Sequence, residues 1–341
     1  MVLFGSKSIL GIDLGTSGIK IAELSTKSGG RFELKNYAVL DFIPKDKSVP
    51  KLDDQLLING LKDLLNKGKF STKDTIASIS SFLTFTTIIE MPYLSEKDLG
   101  KAIPFEARKY IPIPLPEVVL DWSIINVKQA GDHTNVEVFL AAVPKDQTER
   151  YKNIFISAGL NLKALELENI ALSRALSEEN LSPLVIVNLG GRSTSISVFD
   201  NRFERISRNY EVGGFEIAKA LSETLGISFE EAEKIKKTEG LKTGSSNSAV
   251  IVSLVDLIVL ETKKVVSNYE ESRKVKINKI ILAGGQANMP GLKDYFTQKL
   301  GKEALLGDPF KNVSYNKALE PVLMTLRSSL SVAVGLAMRK I

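Results

Sequence analysis

The chain has 341 residues, too many for one ordinary domain, and 43% hydrophobic with 25% charged residues is the composition of a soluble globular protein of two domains or one bilobed unit. Forty-five basic residues against 40 acidic ones give a formal charge of +5 with no long run of one sign, so no nucleic-acid footprint is indicated. Cysteine is absent and histidine occurs once, which excludes disulfides, thiolate metal sites, thiol nucleophiles and His-paired catalysis.

In chain order, the apolar run Ser8 to Ile12 ends in the carboxylate of Asp13, passes through a small, hydroxylated turn and resumes alternation at Ile19, Ile21 and Leu24. That pattern predicts strand, tight turn, strand. Gly15 and Gly18 allow close backbone approach, Thr16 and Ser17 add hydroxyls, Asp13 could hold a metal through water, and Lys20 could face a polyphosphate. On its own the stretch equally suits a Gly-rich hairpin with a surface Asp and Lys.

Phe32 to Leu40 predicts a third strand, Leu52 to Lys67 a helix and Thr75 to Ser80 a fourth strand. Three strands before the first helix set this apart from a dinucleotide-binding βαβ unit. Phe85 to Pro92 predicts a strand, and Ser95 opens a helix that Pro104 must kink or restart before Tyr110. Ile111 to Pro116 predicts an extended connector, and Val118 to Ile125 with Val136 to Val143 a strand pair across the His133 turn. We read residues 84–136 as a small α+β insertion that returns into the first lobe, formed by 1–83 and 137–180. Gln147 to Ala158 predicts a helix, Leu162 to Leu167 a strand and Glu168 to Leu176 a further helix.

Leu184 to Phe199 repeats the opening plan: buried strand, polar residue at its end (Asn188), Leu-Gly, small polar turn, alternating strand. The repeat suggests a duplicated fold with two facing lobes, so that a phosphate is clamped between two turns. A strand from Phe203, helices from Gly213 and Phe229, and a long helix over Ala249 to Ser272 follow. Lys279 to Leu292 predicts a buried strand, a Gly-Gly turn where a flat base could pack, and a helix; Leu330 to Lys340 closes the chain at helical spacing. The second-lobe core is expected at 181–212 and 275–341, with a helical, nucleotide-side subdomain at 213–274. The most apolar window, Val250 to Leu260, is shorter than the ~20 residues of a membrane helix and carries Asp256, so no span is expected and the location is cytoplasmic.

Gly11 to Lys20, Glu168 to Leu176, Val185 to Ser195, Lys279 to Leu292 and Ser329 to Met338 resemble, in order, the two phosphate loops, adenosine loop and two connecting helices of the actin-like ATPase superfamily. The insertion, with Phe105 to Pro112 followed by Val118 to Trp122, is similar to that of the PilM family, the cytoplasmic actin-like component of the type IV pilus platform. Phe4-Gly5 and Ala158 to Leu160 share that likeness. The fold so implied is α/β, an actin-like, ribonuclease H-like duplicated two-lobe fold with the small subdomain inserted in the first lobe, as in FtsA-like proteins.

The resemblance implies ATP or ADP with Mg²⁺ as ligands. Gly15, Thr16, Ser17 and Lys20 would hold phosphates from one side and Gly190, Gly191, Arg192 and Ser193 from the other. Gly284, Gly285 and Gln286, with Gly214 nearby, would meet the adenosine, and Glu233 and Lys236 the ribose. Glu168 would position water or metal, and Asp13 would organise the metal with Asn188, through water. Asn188 departs from the usual aspartate, and an amide supplies no charge to hold the ion or activate water, so hydrolysis is expected to be slow or negligible. The implied function is a nucleotide-responsive scaffold, peripheral to the inner membrane, that recruits the cytoplasmic N-terminal peptide of a PilN-like membrane protein, with other platform or motor proteins and a homo-oligomer as further partners. Two alternatives stand beside it. One is an actin-fold small-molecule kinase, which needs an acidic base not evident here. The other is an FtsA-type polymerising protein, although this chain stops at Ile341, without that family's amphipathic tail.

Overall fold

The computed structural model describes residues 8–42, 53–130, 133–178, 182–242 and 247–340. The N-terminal Phe4-Gly5, the loop before Lys51, residues 131–132 of the His133 turn and most of the loop after Lys242 lie outside the described residues. The chain divides into two compact units, residues 1–78 with 155–341 and residues 79–154.

The larger unit opens with β1 (Ser8–Gly15), β2 (Gly18–Thr26) and β3 (Phe32–Asp41), a meander in which Asp13 lies opposite Lys20 and Gly15 opposite Gly18. Alternation predicts the strands, and only Thr16 and Ser17 remain for the turn. Helix α1 (Asp54–Gly68) starts where the Asp53 carboxylate accepts from the Leu56 N–H, and it buries Leu57, Leu61 and Leu64. Strand β4 (Asp74–Ile79) then pairs parallel to β1.

The smaller unit holds β5 (Phe85–Pro92), α2 (Glu96–Ala107), β6 (Val118–Ala130) and β7 (His133–Pro144), with α3 (Lys145–Ser157) leading out of it. Its sheet has the order β5-β7-β6. Ile89, Val136, Val138 and Leu140 form a core with Leu99, Ile103 and Ala107 of α2. Helix α2 continues through Pro104, so the restart that the sequence offered as one alternative does not occur. The ring would press on the carbonyl four residues earlier, which belongs to Gly100, a residue with no side chain to hinder adjustment. A short 3-10 turn at Leu115–Glu117 replaces the end of the expected extended connector. Strand β7 runs on in this sheet through Pro144, beyond the Val136 at which the sequence suggested a return to the first lobe.

In the larger unit, β8 (Asn161–Leu167) and α4 (Glu168–Leu176) lead to β9 (Leu184–Leu189), β10 (Thr194–Asp200) and β11 (Phe203–Tyr210). Helices α5 (Gly214–Leu225), α6 (Phe229–Thr238) and α7 (Ser248–Arg273) follow, then β12 (Lys279–Ala283), α8 (Leu292–Leu300), β13 (Glu303–Leu306), β14 (Val313–Ser314) and α9 (Glu320–Ala337). The six-stranded sheet has the order β14-β3-β2-β1-β4-β8 and the five-stranded sheet β11-β10-β9-β12-β13. The sequence reading missed β13 and β14, both too short to show a period. β14 returns the chain to the first sheet, with Val313 opposite Phe32.

Helix α9 begins ten residues before the predicted Leu330 and, with the preceding turn, is the one described helix long and apolar enough to cross a membrane. Its small residues serve packing in this unit: Gly335 meets α4 and Ala333 meets β1, so closely that a methyl group at Gly335 would stand 2.0 Å from the Ala171 carbonyl oxygen and one at Gly11 1.9 Å from that of Ala333. Arg174 Nη1 donates to the Gly335 carbonyl at 2.7 Å across the same crossing.

Candidate functional site

The β1–β2 turn is held from outside by β3. The Phe42 N–H donates to the Ser17 carbonyl at 2.8 Å, and any Cβ at Gly18 would collide with the Leu40 carbonyl oxygen at 2.3 Å. Glycine is required there because β3 lies directly against the turn.

The corresponding turn between β9 and β10 is closed by Gly190 N–H donating to the Ser193 carbonyl at 2.9 Å. It is also fastened to α5. The first amides of that helix, Gly214 and Phe215, donate to the carbonyls of Gly190 and Gly191 at 3.0 and 2.8 Å, so N–H groups left without an intrahelical partner are satisfied by the turn. The two turns touch, since a Cβ at Gly191 would lie 2.6 Å from that of Ser17.

The third loop follows β12. Gly284 has φ +86° and sits against the Leu189 carbonyl and the Asn188 side chain, where a Cβ would fall 2.4 Å and 2.7 Å from their oxygens. Its N–H donates to the Ser328 carbonyl of α9 at 3.0 Å. The Gln286 side chain covers Gly214, whereas a Cβ at Gly285 would meet nothing within 4 Å.

These loops surround a cavity of about 990 Å³, at the upper end of the ordinary range for small-molecule sites. Ten of the expected residues line it: Thr16, Ser17, Lys20, Gly191, Arg192, Gly214, Glu233, Lys236, Gly285 and Gln286. Gly15, Gly190, Ser193 and Gly284 belong to the same loops but, like Asp13 and Asn188, are not among its lining residues. Sequence reasoning missed Asp41 and Phe42 from the end of β3, Phe229 and Lys237 of α6, and Ser329 of α9. Asp41 had a readable signal, because a three-strand meander places the end of β3 beside the turn, opposite Gly18.

Asp13 is buried, and the Ser78 hydroxyl donates to its Oδ1 at 2.8 Å. Burial pushes its pKa above the usual carboxylate value, against the opposing pull of Lys20 and of the Ser78 hydrogen bond. Lys236 is 1% exposed, and its ammonium donates to the Gly214 carbonyl at 2.7 Å and to the Glu233 carboxylate. Burial lowers its pKa, while Glu233 raises it. That ammonium thus ties α6 to the start of α5, and both members of the expected ribose pair stand at the cavity wall. Arg192 is also lowered by burial, opposed by Glu216.

Asn188 lies beside Gly284, and Glu168, the first residue of α4, is not among the lining residues; its charge bears on the buried Glu204. Among the described residues no group of three or more His, Cys, Asp or Glu side chains gathers as a metal site. A cation here would therefore need ligand phosphates and water as its other partners.

Residues 11–341 match the family described as type IV pilus assembly protein PilM. Among curated proteins the chain is 29% identical over 227 residues to the cell division protein FtsA of Bacillus subtilis, covering 58% of this chain and 50% of that one. It is 26% identical over 147 residues to the ethanolamine utilization protein EutJ of Salmonella typhimurium, covering 43% and 48%. The chain thus spans about half the length of the curated relatives it matches. Among solved structures, a PilM-PilN type IV pilus biogenesis complex superposes with a TM-score of 0.84 at 22% identity, covering 98% of this chain and 99% of that one. EutJ of Carboxydothermus hydrogenoformans gives 0.59 at 18% identity, over 98% and 90%. MreB5 of Spiroplasma citri bound to ADP gives 0.53 at 13%, over 96% and 94%. The actin-like fold expected from the sequence is the fold observed.

Proposed function

The chain belongs to the type IV pilus assembly protein PilM family, and from that premise we propose that it is a cytoplasmic, nucleotide-binding scaffold of the pilus assembly platform that recruits a PilN-like membrane protein. The observation that carries the nucleotide half is the contact between the two glycine turns at the cavity, Gly191 against Ser17. In this reading Lys20 and Arg192 supply positive charge where the turns converge, and hydroxyls of Thr16 and Ser17 complete a phosphate cradle. Gly285 leaves the open space that a purine face needs, and Glu233 stands where a ribose hydroxyl could donate.

Bound Mg²⁺ would neutralise phosphate charge, held through water by Asp13 and Asn188. The amide of Asn188 gives it no negative charge to polarise water, so nucleotide is retained more than cleaved. For the partner half, the three-stranded sheet of the smaller unit ends in two edge strands, β5 and β6, and an extended peptide can add to such an edge. Family membership sets the kinase and FtsA-type polymer readings behind this one.

Titration of the purified protein with a fluorescent ATP analogue, followed by capture of the PilN-like N-terminal peptide with and without ATP, tests both halves. Saturable binding abolished by Lys20→Ala, with peptide capture that responds to nucleotide, is expected. Absence of peptide capture in either state would remove the scaffold reading.

A further inference from the structure

The outer face of α2 has no role in the nucleotide cavity. Lys97, Lys101 and Arg108 are exposed on it at spacings of four and seven residues, one side of a helix, and Lys109 stands at its border. Phe105, at 68% exposure, is the most exposed large hydrophobic side chain described, and the Arg108 guanidinium lies 5.3 Å from its ring centre. Tyr93 and Leu94 are exposed just before the helix and Tyr110 just after it.

The described acidic side chains here, Asp98 and Glu106, each have a partner. Asp98 accepts from the Ser95 hydroxyl at the helix start, and Glu106 holds Lys109 at 2.8 Å. Among the described side chains of this face, four cations therefore stand against two carboxylates, one of them paired with Lys109, and Lys97, Lys101 and Arg108 flank an exposed aromatic ring. The inner side of α2 is fully used by Leu99, Ile103 and Ala107 in the core of the smaller unit, so the outer side is a convex ridge.

We propose that this ridge lies on an anionic phospholipid surface, with Lys97, Lys101 and Arg108 at headgroup phosphates and Phe105 at the acyl boundary. A convex basic ridge with an exposed aromatic matches a flat, negatively charged bilayer, whereas peptides dock in grooves or on strand edges. The inference rests on the reading of the chain as a protein that works against the inner membrane, and it adds a direct lipid contact to the contact made through the partner. Each basic residue near such a surface strengthens binding roughly fivefold at low salt.

The test is co-sedimentation of the full chain, without nucleotide or partner, with vesicles of phosphatidylglycerol and phosphatidylethanolamine, and with vesicles of phosphatidylcholine alone. Binding to the first, lost at high salt and absent with the second, is expected. Lys97→Glu with Lys101→Glu should reduce it by more than about tenfold, Phe105→Ser severalfold, and the same charge change at Lys219 and Lys263 hardly at all. Unchanged thermal midpoints confirm folding of each variant. The proposal is overturned if the chain ignores anionic vesicles, if neutral vesicles bind equally, or if the Lys219 and Lys263 pair matters as much. It is also overturned if the α2 variants lose only an acidic soluble protein. Nucleotide titration and peptide capture on the same variants report on the functional reading separately, since the vesicle arm uses neither.

Discussion

Gly191 and Ser17 meet so closely that a Cβ on the glycine would stand 2.6 Å from that of the serine. One residue comes from the turn between β9 and β10, the other from the turn between β1 and β2, and their contact converts two separate hairpins into one cradle. Gly191→Val should therefore push the turns apart and weaken nucleotide binding by about tenfold or more, an overpacking cost of roughly 1–3 kcal/mol. Titration with a fluorescent nucleotide, beside a circular dichroism spectrum that stays native, checks it.

Asn188, next to last in β9, has its side-chain oxygen toward Gly284. Exchange of this amide for a carboxylate, Asn188→Asp, restores negative charge beside the proposed metal position without changing side-chain size. ATP turnover should rise on the order of tenfold, as expected when a charged group replaces a neutral one at a site of electrostatic stabilisation. Phosphate release under single-turnover conditions is the measurement; an unchanged rate would show that the charge at this position is not what limits hydrolysis.

Glu204 on β11 is buried, accepts from Asn169 at 2.9 Å and leaves Oε2 with no hydrogen-bond partner. Burial raises its pKa from 4.5 to about 7, against hydrogen bonds from Ser197, Asn169 and Ser207. The folded state then holds this proton more tightly than the unfolded state does. Stability should fall as pH rises between about 4.5 and 7 and level off above. Glu204→Gln removes that slope, stabilising the protein at pH 8 by up to roughly 3 kcal/mol and scarcely at pH 4. Urea unfolding of both proteins across this range decides it.

Gly335 and Ala171 mark the crossing of α9 and α4, where a methyl group would stand 2.0 Å from a backbone oxygen. No side chain can rotate away from a backbone clash, so Gly335→Ala should cost about 3 kcal/mol or more. A lowered urea midpoint with an unchanged slope is the expected result. An unaltered midpoint would mean that the helices separate freely at this point.

Lys236 joins α6 to the first residue of α5 through the Gly214 carbonyl and holds Glu233 in place. Lys236→Met keeps the buried stem but leaves both oxygens without their donor. Removing one partner of a buried pair costs about 3–5 kcal/mol, and partial exposure of Glu233 places the expected loss toward the lower end. Thermal melting measures the stability term, and nucleotide titration measures the loss of the α6 wall.

The strands, most helices and both glycine turns were legible because their signals are local: alternation at Ile19, Ile21 and Leu24, leucines at helical spacing over Leu52 to Lys67, the cap at Ser95, and a repeated hairpin plan at Val185 to Ser195. Short β13 and β14 were not, since two to four residues cannot display a period, and only pairing with β12 and β3 makes them strands. Pro104 shows the same limit of local signals. A proline's local penalty predicts a kink or restart, and packing of Leu99, Ile103 and Ala107 against the sheet accompanies a helix that continues through it.

Residue types and their order along the chain determined which groups are available for the proposed phosphate and base recognition, because glycine freedom, hydroxyls and charge are properties of the residues themselves. Tertiary structure decided which of these groups are left to act. Lys236 is spent on Gly214, Glu168 stays outside the cavity lining, and Asp41 enters it, all through contacts between segments distant in sequence. The exposed ring of Phe105 belongs to the same class. Its exposure follows from which side of α2 the sheet covers, a choice made by packing.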